Sequence, residues 1–370
     1  MDLQQPSTYN TGFNICVKKD VKNIMPDNLR FLHDSIGTYI KYNNIPISNI
    51  RYRYFPHINK LLILIIINVN HITINNFTLS DIEIKIITLY NYIKLYCILH
   101  PNCKIILQGI KTIINTSGNF IRSNEILKDI IKTFINGNEY LTLNSKYSNI
   151  LVSTSCFLQS NIDVAMVLYN DIYNIITANI TANIITTNVI NNNECEYVNL
   201  LLFGDDSMNI IQYLLYHSKK ISNIKFNIIC FMHCDDSIQV GIKNISNYNN
   251  INIITTKYLY LLNEIIEDNL NFMIDNIIIT AGRKGICGNE CNIIKNIMIN
   301  IKNRYQIINI SCKDNSCLSD TKFISSIPLY NNDRMIIANK IKYPEMFANL
   351  GDASKNGYCE TLIHFTFPKI

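Results

Sequence analysis

The sequence has no hydrophobic run long enough to cross a membrane. Its longest one, Leu61 to Val69, has about half of the ~18 residues that a membrane-spanning helix needs, so it predicts a buried strand. No apolar segment follows Met1, as a secretory signal peptide would require. Charged residues are also scarce, at 16% against 48% hydrophobic residues, and this balance excludes a disordered chain. The sequence therefore predicts a folded globular protein that is not in a membrane.

The cysteine and histidine patterns argue against two kinds of site. The twelve cysteines show no regular pairing, which, without a signal peptide, predicts an intracellular, reducing compartment, either cytoplasmic or organellar. Cys287 and Cys291 have the spacing of half a metal site, but no second pair follows at ligand spacing, so we expect no metal. The seven histidines are not placed as in a catalytic triad, which leaves a serine hydrolase without support.

What the sequence contains in excess is asparagine and isoleucine, so polar tracts such as Asn191 to Asn193 carry little structural information. The 370 residues are enough for two domains and a large core. The formal net charge of +5 is a mild basic excess. Such a charge is compatible with a polyanionic partner and does not require one.

The first region, residues 1–145, has the pattern of a smaller α+β domain. Apolar residues recur at helical spacing from Asp27 to Tyr42 and from Asp81 to Leu99. The strand candidates are Gly12 to Lys18, Arg51 to Tyr54, Leu61 to Val69, Ile105 to Ile113 and Glu139 to Leu143.

In the second region, residues 146–370, strands and helices alternate. This alternation predicts an α/β fold with a doubly wound parallel sheet, in which ligands bind outside the carboxyl ends of the strands. Gly204, Thr280 to Arg283 and Cys312 fall at such ends, so we expect three loops to line one crevice. A helix is predicted before the first strand and between each strand and the next. The predicted strands are Tyr197 to Phe203, Phe226 to Met232, Ile251 to Thr255, Asp275 to Thr280 and Tyr305 to Ser311.

Cys312 and Glu360 are the candidate reacting residues. A thiol at the carboxyl end of one strand and a carboxylate on a later strand form a nucleophile and base that can add to a ring and then remove a proton from it. Each also has a plain structural interpretation: Cys312 as a small core residue and Glu360 as a solvated acid at a strand end. The residues alone leave both interpretations open.

Four short motifs of the sequence resemble those of the RNA uracil-5-methyltransferase family and follow one another in the family's order. This family makes 5-methyluridine in transfer and ribosomal RNA. The early stretch from Gly12 to Val69, with Arg51 and Arg53, is also similar to that family's central domain. The four motifs are Ser153 to Asn161 (family pattern S-x-x-F-x-Q-x-N), Arg283 to Gly285 (D-P-P-R-x-G), Ile310 to Cys312 with Asp320 ([IV]-S-C-N-P…D) and Glu360 with the apolar run after it (V-E-x-V-x-L).

The resemblance implies a Rossmann-like domain of the S-adenosylmethionine-dependent methyltransferase type. It also implies that Cys312 adds to C6 of uracil, that Glu360 accepts the C5 proton, and that Arg283 stabilises the thiolate and the anionic intermediate. The expected substrate is a uridine flipped out of tRNA, with the first domain binding RNA phosphates. From the place where the chain starts we expect the compact, tRNA-directed type, and we expect a monomer. The implied cofactor positions are Gln159, which contacts the cofactor or the flipped base, Gly204, Met232 and Thr280.

The cofactor positions depart from the family's pattern. The acid that leads its nucleotide loop is Leu200 here, and the second glycine of that loop is Asp206. The acid after the next strand falls at Met232 or His233, and the aspartate of the D-P-P-R loop is Thr280. Neighbouring acids that can substitute are Asp205, Asp206, Asp235 and Asp236.

Because of these departures, two other functions stay open. One is a non-catalytic homologue that binds or chaperones RNA. The other is a metabolite-binding protein of Rossmann-like fold, which no specific residue supports.

Overall fold

The structure is a computed structural model. The residues it describes are 7–11, 26–55, 58–68, 78–115, 130–144, 149–159, 162–187, 196–219, 224–268, 273–281, 285–286, 288–301, 305–328, 334–343, 346 and 359–367. The strand predicted over Gly12 to Lys18 lies outside them. The chain divides into two compact units, the first formed by Met1–Asn144 with Asn149–Cys156 and the second by Ser145–Ser148 with Phe157–Ile370.

The first unit is built on a five-stranded sheet in the order β1-β2-β3-β4-β5. Strand β3 pairs in parallel with β4, and the other neighbours pair antiparallel. The two helices pack through their apolar stripes on one sheet face. The elements are β1 (Ser7–Thr11), α1 (Asp27–Tyr42), β2 (Ile47–Phe55), β3 (Lys60–Asn68), α2 (Leu79–Leu99), β4 (Ile106–Asn115), β5 (Ile130–Gly137) and the hairpin of β6 (Leu141–Asn144) and β7 (Asn149–Val152).

The second unit is an α/β domain around a seven-stranded sheet in the order β10-β9-β8-β11-β12-β14-β13. The first five strands in this order are parallel, and β14 and β13 run antiparallel to their neighbours. The elements are α3 (Ile162–Thr187), β8 (Glu196–Phe203), α4 (Ser207–Ser218), β9 (Ile224–Phe231), α5 (Asp235–Ile245), β10 (Ile251–Thr256), α6 (Leu259–Asp268), β11 (Asn276–Ala281), α7 (Asn289–Asn300), β12 (Gln306–Ser311), α8 (Asp314–Ser326), β13 (Ile336–Tyr343) and β14 (Glu360–Thr366).

Alternate residues of β8 feed two apolar cores. Leu200 and Leu202 point into the core beneath α3 and α4, whereas Leu201 and Phe203 point into the core beneath α6, α7 and α8. Both faces of β8 are buried, which is why the strand is a continuous apolar run in the sequence. Strand order reverses between β8 and β11, so the point at which such folds bind ligands lies at the carboxyl ends of these two strands.

The predicted fold class is confirmed, with one addition. The alternation from β8 to β12 is present, and each predicted strand there lies within two residues of its observed bounds. A strand at Glu360 was predicted and is β14, whereas β13 and the antiparallel pairing of these two strands at the sheet edge were not part of the prediction. No helix in the described part of the chain combines the length and the apolar character needed to span a bilayer.

Candidate functional site

Most of the predicted site residues gather at the carboxyl edge of the seven-stranded sheet. Gly204 follows β8, Met232 follows β9 and Thr280 lies at the end of β11, the neighbour of β8. Cys312 follows β12, which is next to β11, and is half-buried. Because the carboxyl ends of parallel strands meet at one edge, these residues lie along the edge at which such folds bind ligands. Arg283 lies outside the described residues, so its role stays a prediction.

Glu360 begins β14, which pairs antiparallel with β12, the strand that ends just before Cys312. The last recorded pair of β12 and β14 is Ser311 with Thr361. Cys312 follows Ser311 on one strand and Glu360 precedes Thr361 on the other, so both stand directly beyond this last pair. Opposed residues of an antiparallel pair have their Cβ atoms about 4.5–5.5 Å apart. Continuation of the register by one residue would bring the two candidate reacting residues together, which stays a prediction.

The Glu360 carboxyl group is buried, with 4% of the residue exposed. Its Oε2 atom has no hydrogen-bond partner among the described residues. Burial, and secondly the negative charge of Asp206, raise the pKa of Glu360 from 4.5 to about 8. At neutral pH Glu360 is therefore a proton carrier rather than a fixed negative charge.

Asp206, which stands in place of a loop glycine, is the centre of a buried polar cluster. Its Oδ1 accepts hydrogen bonds from the Tyr169 hydroxyl at 2.6 Å and from Asn209 Nδ2 at 2.8 Å. Its Oδ2 accepts one from Gln159 Nε2 at 2.8 Å. Burial raises the pKa of Asp206 to about 6, against the opposing effect of these three donors. The side-chain amide of Gln159 thus binds Asp206, and its predicted contact with a cofactor or base stays a prediction.

Gly204 is required by the close approach of β11. Its φ of +108° lies in the left-handed region, and a Cβ atom there would come within 2.1 Å of Thr280 Oγ1 and 2.3 Å of the Thr280 carbonyl oxygen. Thr280 Oγ1 in turn donates a hydrogen bond of 2.8 Å to the carbonyl oxygen of Phe203. The threonine found in place of an aspartate therefore ties β11 to the end of β8.

Asp205 reaches from the loop after β8 to the residues after β9. Its Oδ1 accepts hydrogen bonds from the backbone N–H groups of His233 at 2.8 Å and Cys234 at 3.0 Å. The imidazole of His233 forms an ion pair with Glu290 of α7, at 3.1 Å between Nε2 and Oε1. Met232, where an acid is expected from the family resemblance, is fully buried in the same apolar core as Cys230. Its assignment as a cofactor contact stays a prediction.

Asp320 joins the two loops that flank the candidate nucleophile. Its Oδ2 accepts a hydrogen bond of 2.6 Å from Ser311 Oγ, and its Oδ1 accepts one of 2.8 Å from the backbone N–H of Ile286. Gly285 must be a glycine here, since its φ is +72° and a Cβ atom would lie 2.5 Å from Asp320 Oδ1. Asp320 therefore fixes the residue before Cys312 to the segment after β11.

Arg51 and Arg53 of the first unit are buried, each with 4% exposed. Arg53 donates hydrogen bonds to the carbonyl oxygens of Ser153, at 2.6 Å, and Cys156, at 2.8 Å. This arginine stabilises the segment that carries the first motif and does not face solvent.

Two residues of this edge were not predicted from the sequence. Tyr169 occupies an ordinary apolar position of α3, and Glu290 lies in the first turn of α7. Asp320 was part of a predicted motif, but its hydrogen bonds to Ser311 and Ile286 were not predicted. No cluster of three or more metal-binding side chains occurs in the described ranges.

A comparison with protein-family models finds no match, and neither does a comparison with curated protein sequences. Among solved structures, the chain is similar to the tRNA (uracil-54, C5)-methyltransferase of Pyrococcus abyssi in complex with S-adenosyl-L-homocysteine. The identity is 12%, the TM-score is 0.51, and the match covers 92% of this chain. This chain spans 66% of the length of the archaeal chain.

A second similar structure is a provisionally assigned S-adenosylmethionine-dependent methyltransferase from Streptococcus mutans. The identity is 11% and the TM-score 0.43, with 87% of this chain and 71% of that chain covered. At 12% identity, the likeness to the archaeal enzyme establishes architecture and not activity. The chain has the fold of the S-adenosylmethionine-dependent methyltransferases.

Proposed function

We propose that this protein is an RNA uracil-5-methyltransferase that uses S-adenosylmethionine and acts on tRNA. The observation that carries the proposal is the pairing of Ser311 on β12 with Thr361 on β14, because Cys312 and the buried Glu360 are the residues directly beyond this pair. The order of the four sequence motifs supports the same reaction. The choice of tRNA rests on the substrate named for the archaeal methyltransferase of the same fold.

The residues at the edge of β8 suit S-adenosylmethionine, which supplies the methyl group when it is bound. Gly204 leads into the N-terminus of α4, whose amide groups favour an anionic group such as the ligand's carboxylate. Asp205 Oδ2 is buried without a hydrogen-bond partner in the described part of the chain, which suits ribose hydroxyl donors. Gly204, Asp205 and Thr280 are therefore the residues that would hold the cofactor, together with the backbone at Met232.

The two reacting residues have separate tasks in the proposed reaction. The Cys312 sulfur forms a bond to C6 of uracil, and the electron pair displaced from the C5–C6 double bond makes C5 nucleophilic. After C5 has been methylated, Glu360 takes the C5 proton, the C6–sulfur bond breaks, and the thiolate returns. Because the carboxylate form of Glu360 is the acceptor, we expect the rate to rise toward its pKa of about 8.

Trapping with 5-fluorouridine-containing tRNA tests the proposal. Fluorine at C5 cannot be removed as a proton is, so the enzyme–RNA adduct should persist and migrate as a heavier band on a denaturing gel. We expect the adduct with wild type and none with Cys312→Ala. Cys317→Ala is a matched control, since Cys317 lies buried in the next helix and should not change the yield.

A wild-type protein that binds S-adenosylhomocysteine but forms no adduct would refute the role of Cys312. Adduct formation in Cys312→Ala would refute it equally.

A second function, RNA binding without methyl transfer, is favoured by one observation. Asp206 occupies a glycine position of the nucleotide loop with a buried carboxyl group that already engages Gln159. A charged side chain there obstructs close approach of a cofactor to the backbone. Calorimetry separates the two functions, because the non-catalytic protein should bind tRNA and show no heat of binding with S-adenosylmethionine.

A further inference from the structure

Three acids, Asp205, Asp206 and Asp235, lie near the ends of β8 and β9. They differ in whether their carboxylate oxygens have partners within the protein. Both oxygens of Asp206 are used by donors from Gln159, α3 and α4. Asp235, in the first turn of α5, pairs with Lys257 at 2.7 Å. Asp205 uses one oxygen for protein contacts and leaves the other without a partner in the described residues.

The carboxyl group of Asp205 lies next to a different strand from the one that the residue follows in the sequence. The residue follows β8, but its Oδ1 is anchored by the two backbone N–H groups that come directly after Met232. The carboxyl group therefore lies at the end of β9, where the sequence has no acid of its own. Two amide donors on one oxygen fix the orientation of the other.

An Oδ2 atom without a donor among the described residues is unusual for a structural residue. Asp205 is 6% exposed, and a buried carboxylate oxygen without a donor destabilises the folded state. Buried polar atoms are almost always paired, and an exception indicates a ligand or a strained site. Burial is also the largest cause that raises the pKa of Asp205, which donors on Oδ2 would counteract.

We propose that Asp205 supplies, from the loop after β8, the ribose-binding carboxylate that β9 lacks, with Oδ2 accepting hydrogen bonds from the vicinal hydroxyl groups of an adenine nucleoside. This inference rests on the proposed function, since the nucleoside is that of the methyl donor. The ribose would thus be bound by a residue that follows β8, whereas the family pattern expects the acid after β9.

The ion pair of His233 and Glu290 lies close enough to Asp205 for both residues to act electrostatically on its carboxyl group. Oδ2 is shielded from solvent in the present arrangement, so a ligand reaches it only when a neighbouring group moves. The side chain of His233, whose backbone N–H anchors Oδ1, is 42% exposed.

Calorimetry with the full chain and two ligands tests the assignment. The ligands are S-adenosylhomocysteine and its 2′,3′-dideoxy counterpart, which lacks the hydroxyl groups in question. Hydrogen bonds to a charged acceptor predict that wild type binds the ribose form about 10- to 100-fold more tightly. Asp205→Asn should lose that preference, because its amide keeps an oxygen for the backbone donors but offers N–H in place of Oδ2. Asp235→Asn is the matched control and should keep the preference.

The melting temperature of the ligand-free variant separates binding from structure. Asp205→Asn removes a buried, half-unpaired charge, so its melting temperature should equal or exceed that of wild type. A lower melting temperature with an unchanged preference for ribose would mean that Asp205 only anchors the backbone at His233 and Cys234, and would overturn the inference. Equal binding of both ligands by wild type would overturn it too and leave the methyl-donor proposal standing. Binding of neither ligand would remove the proposed function and the inference together.

Discussion

The hydroxyl group of Tyr169 on α3 donates a hydrogen bond of 2.6 Å to the buried carboxylate of Asp206 at the start of α4. Both residues are at most 2% exposed. Asp206 in turn raises the pKa of Glu360, so a tyrosine on a packing helix influences the proton affinity of the candidate base. Burial, followed by the charge of Asp206, likewise raises the pKa of Tyr169, which keeps its proton available as the donor.

Tyr169→Phe should therefore destabilise the protein in a pH-dependent way. The variant removes a donor from a buried charged acceptor, so we expect a loss of about 2 kcal/mol at pH 8, where Asp206 is ionised. The loss should shrink at pH 5, below the Asp206 pKa of about 6, because the neutral acid needs the donor less. Urea unfolding at both pH values measures it, with Tyr173→Phe, one turn further along α3, as the control. Equal losses at both pH values would contradict the role of the charge.

The free energy of unfolding should fall as the pH rises through the Glu360 titration. The carboxyl group of Glu360 has an ordinary pKa of 4.5 in the unfolded chain and a pKa of about 8 in the fold, because of burial and the charge of Asp206. The folded state thus holds the proton more tightly, so its stabilising effect is complete below pH 4.5 and is lost by pH 8. The shift corresponds to several kcal/mol, at about 1.4 kcal/mol per pKa unit.

Glu360→Gln should flatten this pH dependence, since glutamine has no proton to lose. A remaining decline between pH 4 and 6 is expected from Asp206, whose pKa is also raised by burial. Parallel stability curves for wild type and Glu360→Gln would show that the carboxyl group is not buried as described.

Gly204→Ala should prevent folding or cost more than about 3 kcal/mol. The new methyl group would meet both the side chain and the carbonyl oxygen of Thr280, and the φ of +108° is unfavourable for any L-residue. Gly288→Ala is the matched control: it also has a positive φ, of +54°, but nothing lies within 4 Å of its Cβ position, so only about 1–2 kcal/mol should be lost. Thermal unfolding compares the two. Thr280→Ala should not rescue Gly204→Ala, because the carbonyl oxygen remains.

Glu290→Gln should lower the pKa of His233, which the hydrogen bond to Glu290 raises above its ordinary value. The other acid acting on the imidazole is Asp205, whose removal as Asp205→Asn should lower the pKa by a smaller amount. An NMR titration of the histidine ring measures both. An unchanged pKa in Glu290→Gln would mean that the ion pair does not form in solution.

The alternation of β8 to β12 with helices was predictable because each strand is a short apolar run between polar turns. The strand β13 was not, since nearly all of its residues are exposed and it pairs on one edge only, so its sequence lacks an apolar face. The helix α8 was not predicted, for a related reason. Its buried positions include the polar residues Ser316 and Asp320, so the sequence lacks the regular spacing of apolar residues that indicates a helix. Tertiary contacts decide both elements.

Within the site, strand ends were predictable and side-chain partners were not. Cys312 and Glu360 could be matched to motifs, but the pairing of their strands depends on an antiparallel strand that joins the sheet out of chain order. The hydrogen bond of Asp205 to His233 spans 28 residues of chain and that of Asp206 to Gln159 spans 47, so the local sequence does not reveal either.

Asp320 also makes two segments of the chain depend on one side chain. Its carboxyl group holds Ser311, the residue before Cys312, and Ile286 at a fixed separation, because each oxygen accepts a hydrogen bond from one of them. Asp320 itself has almost no solvent exposure, at 1%, so water cannot replace either bond. A change of one methylene at this position would therefore shift the end of β12 relative to Ile286 without any direct contact to Cys312.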